Sequence, residues 1–173
     1  MSDTSPVAVA APVATATPDS PADLLVRYRQ GGAVLRDAIE DMSMEGLRAR
    51  PIEGKMSSIE VVAHIVDSDQ FMCDRMKRTI ATDRPLLIGV ESADYCGPLG
   101  YQDRDPDVDI ALLEVQREQM SADLVSLAPE AWERVAIHSE IGLVTLLQLF
   151  ERAVSHLENH VASIAEKRAA LIP

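Results

Sequence analysis

Two histidines four residues apart, in His156-Leu157-Glu158-Asn159-His160, are the residues of this 173-residue chain whose types and spacing point most directly to chemistry. On a helix, residues four apart sit one turn apart on one face, where two imidazole nitrogens can converge on one ion at about 2.0–2.1 Å each. The surrounding apolar residues step by three and four as a helix does. One stripe is Leu146, Leu149 and Ala153; its neighbour is Leu143, Leu147, Phe150, Val154, Leu157, Val161 and Ile164. Continued, the first stripe lands on His156 and His160, so the pair faces the core. The bland alternative is two core histidines, each satisfied by a hydrogen bond. The zinc-protease helix H-E-x-x-H is excluded, because Leu157 follows the first histidine. Glu158 points about 200° around the helix from His156 and cannot serve as that mechanism's base.

A metal site needs more than two protein ligands, and the remaining histidines are His64 and His138. His64 sits two turns into a helix that Ser57-Ser58-Ile59-Glu60 opens as a capping box, with Asp67 on the same face one turn on. The apolar residues of this helix, among them Ile59, Val61, Val62, Ile65, Val66, Met72 and Met76, cover a broad arc. His64 falls about 60° beyond the edge of that arc, so periodicity alone places it at the surface.

Four helices are expected to carry these residues. Ser20-Pro21-Ala22-Asp23 opens the first, which keeps Leu24, Tyr28, Leu35, Ile39 and Met42 on one face and ends near Met42. Gly31-Gly32 inside it implies either a close neighbour or a bend. The second helix runs from the capping box to about Ile80. Asp105-Pro106-Asp107 opens the third, with Ile110, Leu113, Arg117, Met120, Leu124 and Leu127 in one stripe, and Pro129 closes it. Arg117 is the one charge in that stripe, so it either meets a carboxylate or snorkels outward. The fourth helix is expected over 143–169, after an irregular segment holding Trp132 and His138. Residues 82–104, with Pro85, Gly89, Gly97, Pro98 and Gly100, read as a long loop covering one end of the bundle.

The composition fits packed helices: hydrophobic content is 47% with only 3% aromatics, and Leu, Ala, Met, Glu and Arg abound. The expected architecture is all-α, a four-helix bundle over residues 21–173 behind a disordered tail at 1–20, which lacks Lys and Arg and is broken by Pro6, Pro12 and Pro18. A net charge of −12 without a basic cluster argues against a nucleic-acid partner, and no apolar run is long enough for a membrane span. Cys73 and Cys96 have no C-x-x-C spacing, as expected for free thiols in a cytoplasmic protein.

The segment from Gly54-Lys55-Met56-Ser57 through Glu60 and His64 to Asp67 resembles the G-K-W-S-x-x-E-x-x-x-H-x-x-D pattern of the DinB/YfiT-like superfamily. His156-x-x-x-His160 resembles its closing H-x-x-x-H, and His138 to Gly142 its H-x-x-x-G stretch. This superfamily is unrelated to the DNA polymerase that shares the DinB name. The resemblance spans about residues 22–170 and departs at Met56, where tryptophan is typical. It implies a divalent metal, zinc or nickel, held by His64, His156 and His160, with His138 outside the site. It further implies a small-molecule substrate, a low-molecular-weight thiol as cosubstrate in a transfer reaction, and a homodimer. Rival readings are a metal-dependent hydrolase, a non-catalytic metal- or ligand-binding stress-response bundle, and a metal-free interaction module. Asp67 is a candidate to orient a ligand histidine and Arg117 to bind a carboxylate of substrate or thiol; Tyr95 and Tyr101 are candidates to line the pocket mouth.

Overall fold

The computed structural model describes residues 19–171, so the tail expected over 1–20 lies outside the described residues save for Asp19 and Ser20. Five helices carry the fold: α1 (Pro21–Ile39), α2 (Met44–Arg48), α3 (Ser58–Ala81), α4 (Pro106–Val125) and α5 (Leu146–Ala170). The four long ones form the bundle, with α1 and α3 each packed against both α4 and α5, which sets α1 diagonally across from α3. Among the described residues no helix is long and apolar enough to cross a membrane.

Side chains start each long helix by satisfying its free amides. Ser20 with Asp23 and Ser57 with Glu60 form capping boxes, and the Asp105 carboxylate accepts from the amides of Asp107 and Val108 at 2.9 and 3.5 Å. Three boundaries differ from the sequence expectation. The first helix stops at Ile39 rather than Met42, because Asp41 takes a φ of 61° and Ser43 then caps the short α2. The third ends at Val125, short of Leu127. The last begins at Leu146 rather than Leu143, because Thr145 and Gln148 make another capping box. Leu143 lies on a strand, 72% exposed and off the core stripe.

The segments expected as loop or irregular chain contain a small sheet. Strand β1 (Leu86–Leu87) runs parallel to β2 (Val135–His138), which pairs antiparallel with β3 (Gly142–Thr145). The turn between β2 and β3 closes at Gly142, whose φ of 77° suits glycine. Leu87, Ala136 and Val144 face the bundle and join Leu24, Tyr28, Leu149 and Phe150 in one apolar cluster. The rest of the 82–104 segment includes two 3-10 turns, Ser92–Tyr95 and Tyr101–Asp103, laid along α3.

A second apolar cluster, with Leu35, Val62, Val66, Ile110, Leu113, Leu157 and Ile164, fills the other half of the bundle. The boundary between the two halves is polar. Along α3 it falls at Asp69, between Val66 and Cys73, and along α4 at Arg117, between Leu113 and Met120. Along α1 it falls at Gly31-Gly32, and the choice left open by sequence resolves to close approach. A Cβ on Gly31 would overlap an Arg117 guanidinium nitrogen and sit 3.0 Å from Leu157 Cδ1, while one on Gly32 would overlap Glu114 Cγ.

Candidate metal centre

Helix α3 brings His64 to the centre of the protein. Every residue from Ser57 to Asp69 is buried, and His64 itself is 6% exposed, not the surface residue its helical angle suggested. The reason is tertiary: α3 is wrapped by α4, α5, α2 and both 3-10 turns, so no side of its first three turns meets water. From the facing side, α5 presents His156 and His160, both half-buried. The ring centroids stand 5.2 Å apart for His64 and His156, 4.6 Å for His64 and His160, and 4.5 Å for His156 and His160.

One ligand atom from each of these three side chains lies within 4.8 Å of the others, the one such group of three or more potential ligands among the described residues. A tetrahedral ion with bonds of about 2.0–2.1 Å needs nitrogens about 3.3 Å apart, so binding one draws the rings inward. Burial pushes the His156 imidazole down to about 3, and the fields of His160, His64, Arg117 and Arg152 push the same way. Burial likewise lowers His160 to about 4, with His64 and Lys167 adding to it. At neutral pH both rings are therefore uncharged, which is the form that ligates. Donor type, convergence and protonation state all fit a divalent cation.

Arg117, 2% exposed, is paired rather than snorkelling. Its Nε and Nη2 donate to Asp69 Oδ1 at 3.1 and 2.6 Å, Nη1 to the Tyr28 carbonyl at 3.1 Å and Nη2 to the Ala153 carbonyl at 3.3 Å. The guanidinium also lies over the Tyr28 ring, 4.3 Å from its centroid. One side chain thus ties all four long helices together at the level where the apolar clusters meet. Sequence reading missed Asp69, although Val62, Val66, Asp69, Cys73 and Met76 step by four and three and carry that single carboxylate.

Asp67 accepts from Tyr101 Oη at 2.6 Å and from Arg104 Nη1 at 2.9 and 3.0 Å, and Arg104 reaches on to Asp109 at 2.5 Å. These bonds pin the long connection onto α3. Tyr101 is fully buried and does not open onto a mouth, while Tyr95 packs its ring 5.6 Å from that of Phe71. His138 lies on β2, outside the histidine group, with Nδ1 accepting from the Glu140 amide at 3.3 Å. Glu158 faces α1 and pairs with Arg27 at 2.6 Å. Both cysteines are free, and burial pushes each thiol up to about 11, away from the thiolate that redox chemistry needs.

The same fold recurs in known proteins. A Bacillus licheniformis protein named as a metal-dependent hydrolase is 26% identical over 141 residues, 81% of this chain and 80% of its own length. YfiT from Bacillus subtilis, described as a probable metal-dependent hydrolase with an unusual four-helix bundle topology, superimposes with a TM-score of 0.83 at 21% identity over 92% of each chain. A mycothiol-dependent maleylpyruvate isomerase superimposes with a TM-score of 0.66 at 12% identity, over 84% of this chain and 60% of the other. The family model of the DinB superfamily matches residues 27–164, which take in α3, the small sheet and both histidines of α5, and the chain belongs to that superfamily.

Proposed function

We propose that this chain is a metal-dependent enzyme that transfers a low-molecular-weight thiol to a small electrophile, with His64, His156 and His160 holding one zinc or nickel ion. The observation that carries the reading is the convergence of three imidazoles from two facing helices, two of them held neutral by burial. A divalent ion on three neutral ligands keeps its charge and an open position, and so supplies acidification of a thiol or water beside it. The protein's own part is positional. The capped start of α3 fixes the depth of His64, and the Arg117–Asp69 tie fixes α5 against α3, so the three rings stand close before any ion arrives. The isomerase of similar fold uses mycothiol, which supports a thiol as the partner.

A hydrolase is the second reading, favoured by the names of the Bacillus relatives. Plasma mass spectrometry of the untagged protein beside His156→Ala/His160→Ala tests the site: near one metal per chain, lost in the variant, is expected, and no metal even after reconstitution refutes it. The loaded protein is then offered monobromobimane with and without added thiols, and a panel of simple esters. Thiol-dependent conjugate formation is expected; ester turnover that ignores thiol would favour the hydrolase.

A further inference from the structure

The small sheet is apolar on both faces. On the inner face Leu87, Ala136 and Val144 join the core of the bundle. On the outer face the register sets Leu86 beside Ile137 and Ile137 beside Leu143, so these three side chains form one row across all three strands. The row lies open: Leu86 is 59% exposed, Ile137 42% and Leu143 72%, and Ile88 and Ile141, just beyond the strand ends, are exposed as well. A sheet with one wet face turns polar side chains outward, whereas apolar residues on both faces are the pattern of a sheet covered on both sides. None of the strand residues is Asp, Glu, Lys or Arg, so the strands offer no ion pair to nucleic acid, a lipid headgroup or any other charged partner.

Area and charge together point to the cover. The five side chains expose on the order of 500 Å² of apolar surface, within the range in which a single patch on a monomer is often functional. A standard interface buries about 800 Å² on each partner around an apolar centre, so this row is large enough to be that centre once a polar rim is added. In a two-fold contact a patch meets its own copy. On a chain of net charge −12 that sets like charges against each other over most of the surface, but here it brings only Leu and Ile side chains together. Residues 1–18 of the chain match the row poorly, since their only branched apolar side chains are Val7, Val9 and Val13, spread among alanines and prolines. Edge-to-edge pairing would rest on strands of two and four residues, too short to hold a dimer.

We propose that the outer face of the sheet is a homodimer interface, in which a second copy of this chain lays its own row of Leu86, Ile137 and Leu143 against this one. Two three-stranded sheets then stack face to face, about 10 Å apart, a gap that Leu and Ile side chains from both sides fill. The interface stands apart from the histidine group. Helix α5 starts directly after β3 and reaches His156 ten residues on, about 15 Å along its axis. Each protomer therefore keeps a complete histidine group, and the inference holds whichever reaction that group supports.

The test is sedimentation equilibrium of the full-length chain over low to high micromolar concentration. Wild type is expected at twice the chain mass of 18.8 kDa. Leu143→Glu and Leu86→Lys each put one charge per protomer into the contact and should weaken the dimer by about a hundredfold or more. Both sites are open in the protomer, so the variants fold, which far-UV circular dichroism checks. Leu143→Thr, uncharged and favoured in strands, is a gentler second probe and should weaken the dimer by about tenfold. Val115→Glu, at a site on α4 that is 71% exposed, should leave the dimer as it is in wild type. A wild type that stays monomeric at every concentration overturns the proposal, and amide protection of residues 1–18 in that monomer would name them as the cover instead. A dimer that survives the sheet substitutions, or that only Val115→Glu breaks, overturns it as well.

Discussion

Acidifying the metal-free protein from pH 7.5 to 5.5 should remove roughly 3 kcal/mol of folding stability through His156 and His160 together. In the folded chain burial holds the two rings at about 3 and about 4. In the unfolded chain both return to about 6.5. A depressed folded value means that the unfolded state takes up protons first, so this stability is fully present above pH 6.5 and drains away as pH falls toward the folded values. At pH 5.5, one unit below the unfolded value, proton uptake favours the unfolded state by about 1.4 kcal/mol per ring, while the folded rings remain almost wholly neutral. Glu60 stays out of this window. Burial pushes Glu60 up, but Arg50, the Ser57 amide and Cys96 outweigh it and hold the carboxyl at about 2, so its own contribution fades only below about pH 4.5. The assay is urea denaturation of chelator-treated protein at pH 7.5, 6.5 and 5.5, beside His156→Gln/His160→Gln. Wild type should lose about 3 kcal/mol more than the variant across the range. Parallel losses in the two proteins would refute the claim that burial keeps these rings neutral.

Breaking the central ion pair by Asp69→Asn or Arg117→Met should each lower urea stability by about 3–5 kcal/mol, since either leaves a buried group without its partner. The double replacement Asp69→Leu/Arg117→Met should recover much of that loss, which a denaturation series on all three variants checks. Gly31→Ala should destabilise by about 1–3 kcal/mol despite better helix propensity, because the pinned Arg117 guanidinium cannot move aside. Gly32→Ala should be neutral or up to about 1 kcal/mol stabilising, because half-exposed Glu114 can swing away; melting temperatures of the pair decide it. Ser57→Ala should cost about 1 kcal/mol through the lost cap of α3 while metal content, read by plasma mass spectrometry, is retained.

The four long helices, most of their starts and the pairing of His156 with His160 were legible in the chain because they depend on local matters, a period of 3.6 residues and side chains that cap the nearest amides. The superfamily motifs added His64, and the lone charge in the α4 stripe announced that Arg117 needed a partner. What needed the tertiary structure was non-local. Strands of two to four residues have too little sequence to show a period, and β1 takes its hydrogen bonds from a segment about fifty residues away. The depth of His64 was hidden because a helix packed on several sides buries residues that its apolar arc leaves out. Asp69 as the partner of Arg117, and the reason for Gly31, appeared only when four helices met at one level. Periodicity says which way a side chain points along its own helix; only packing decides what stands opposite it.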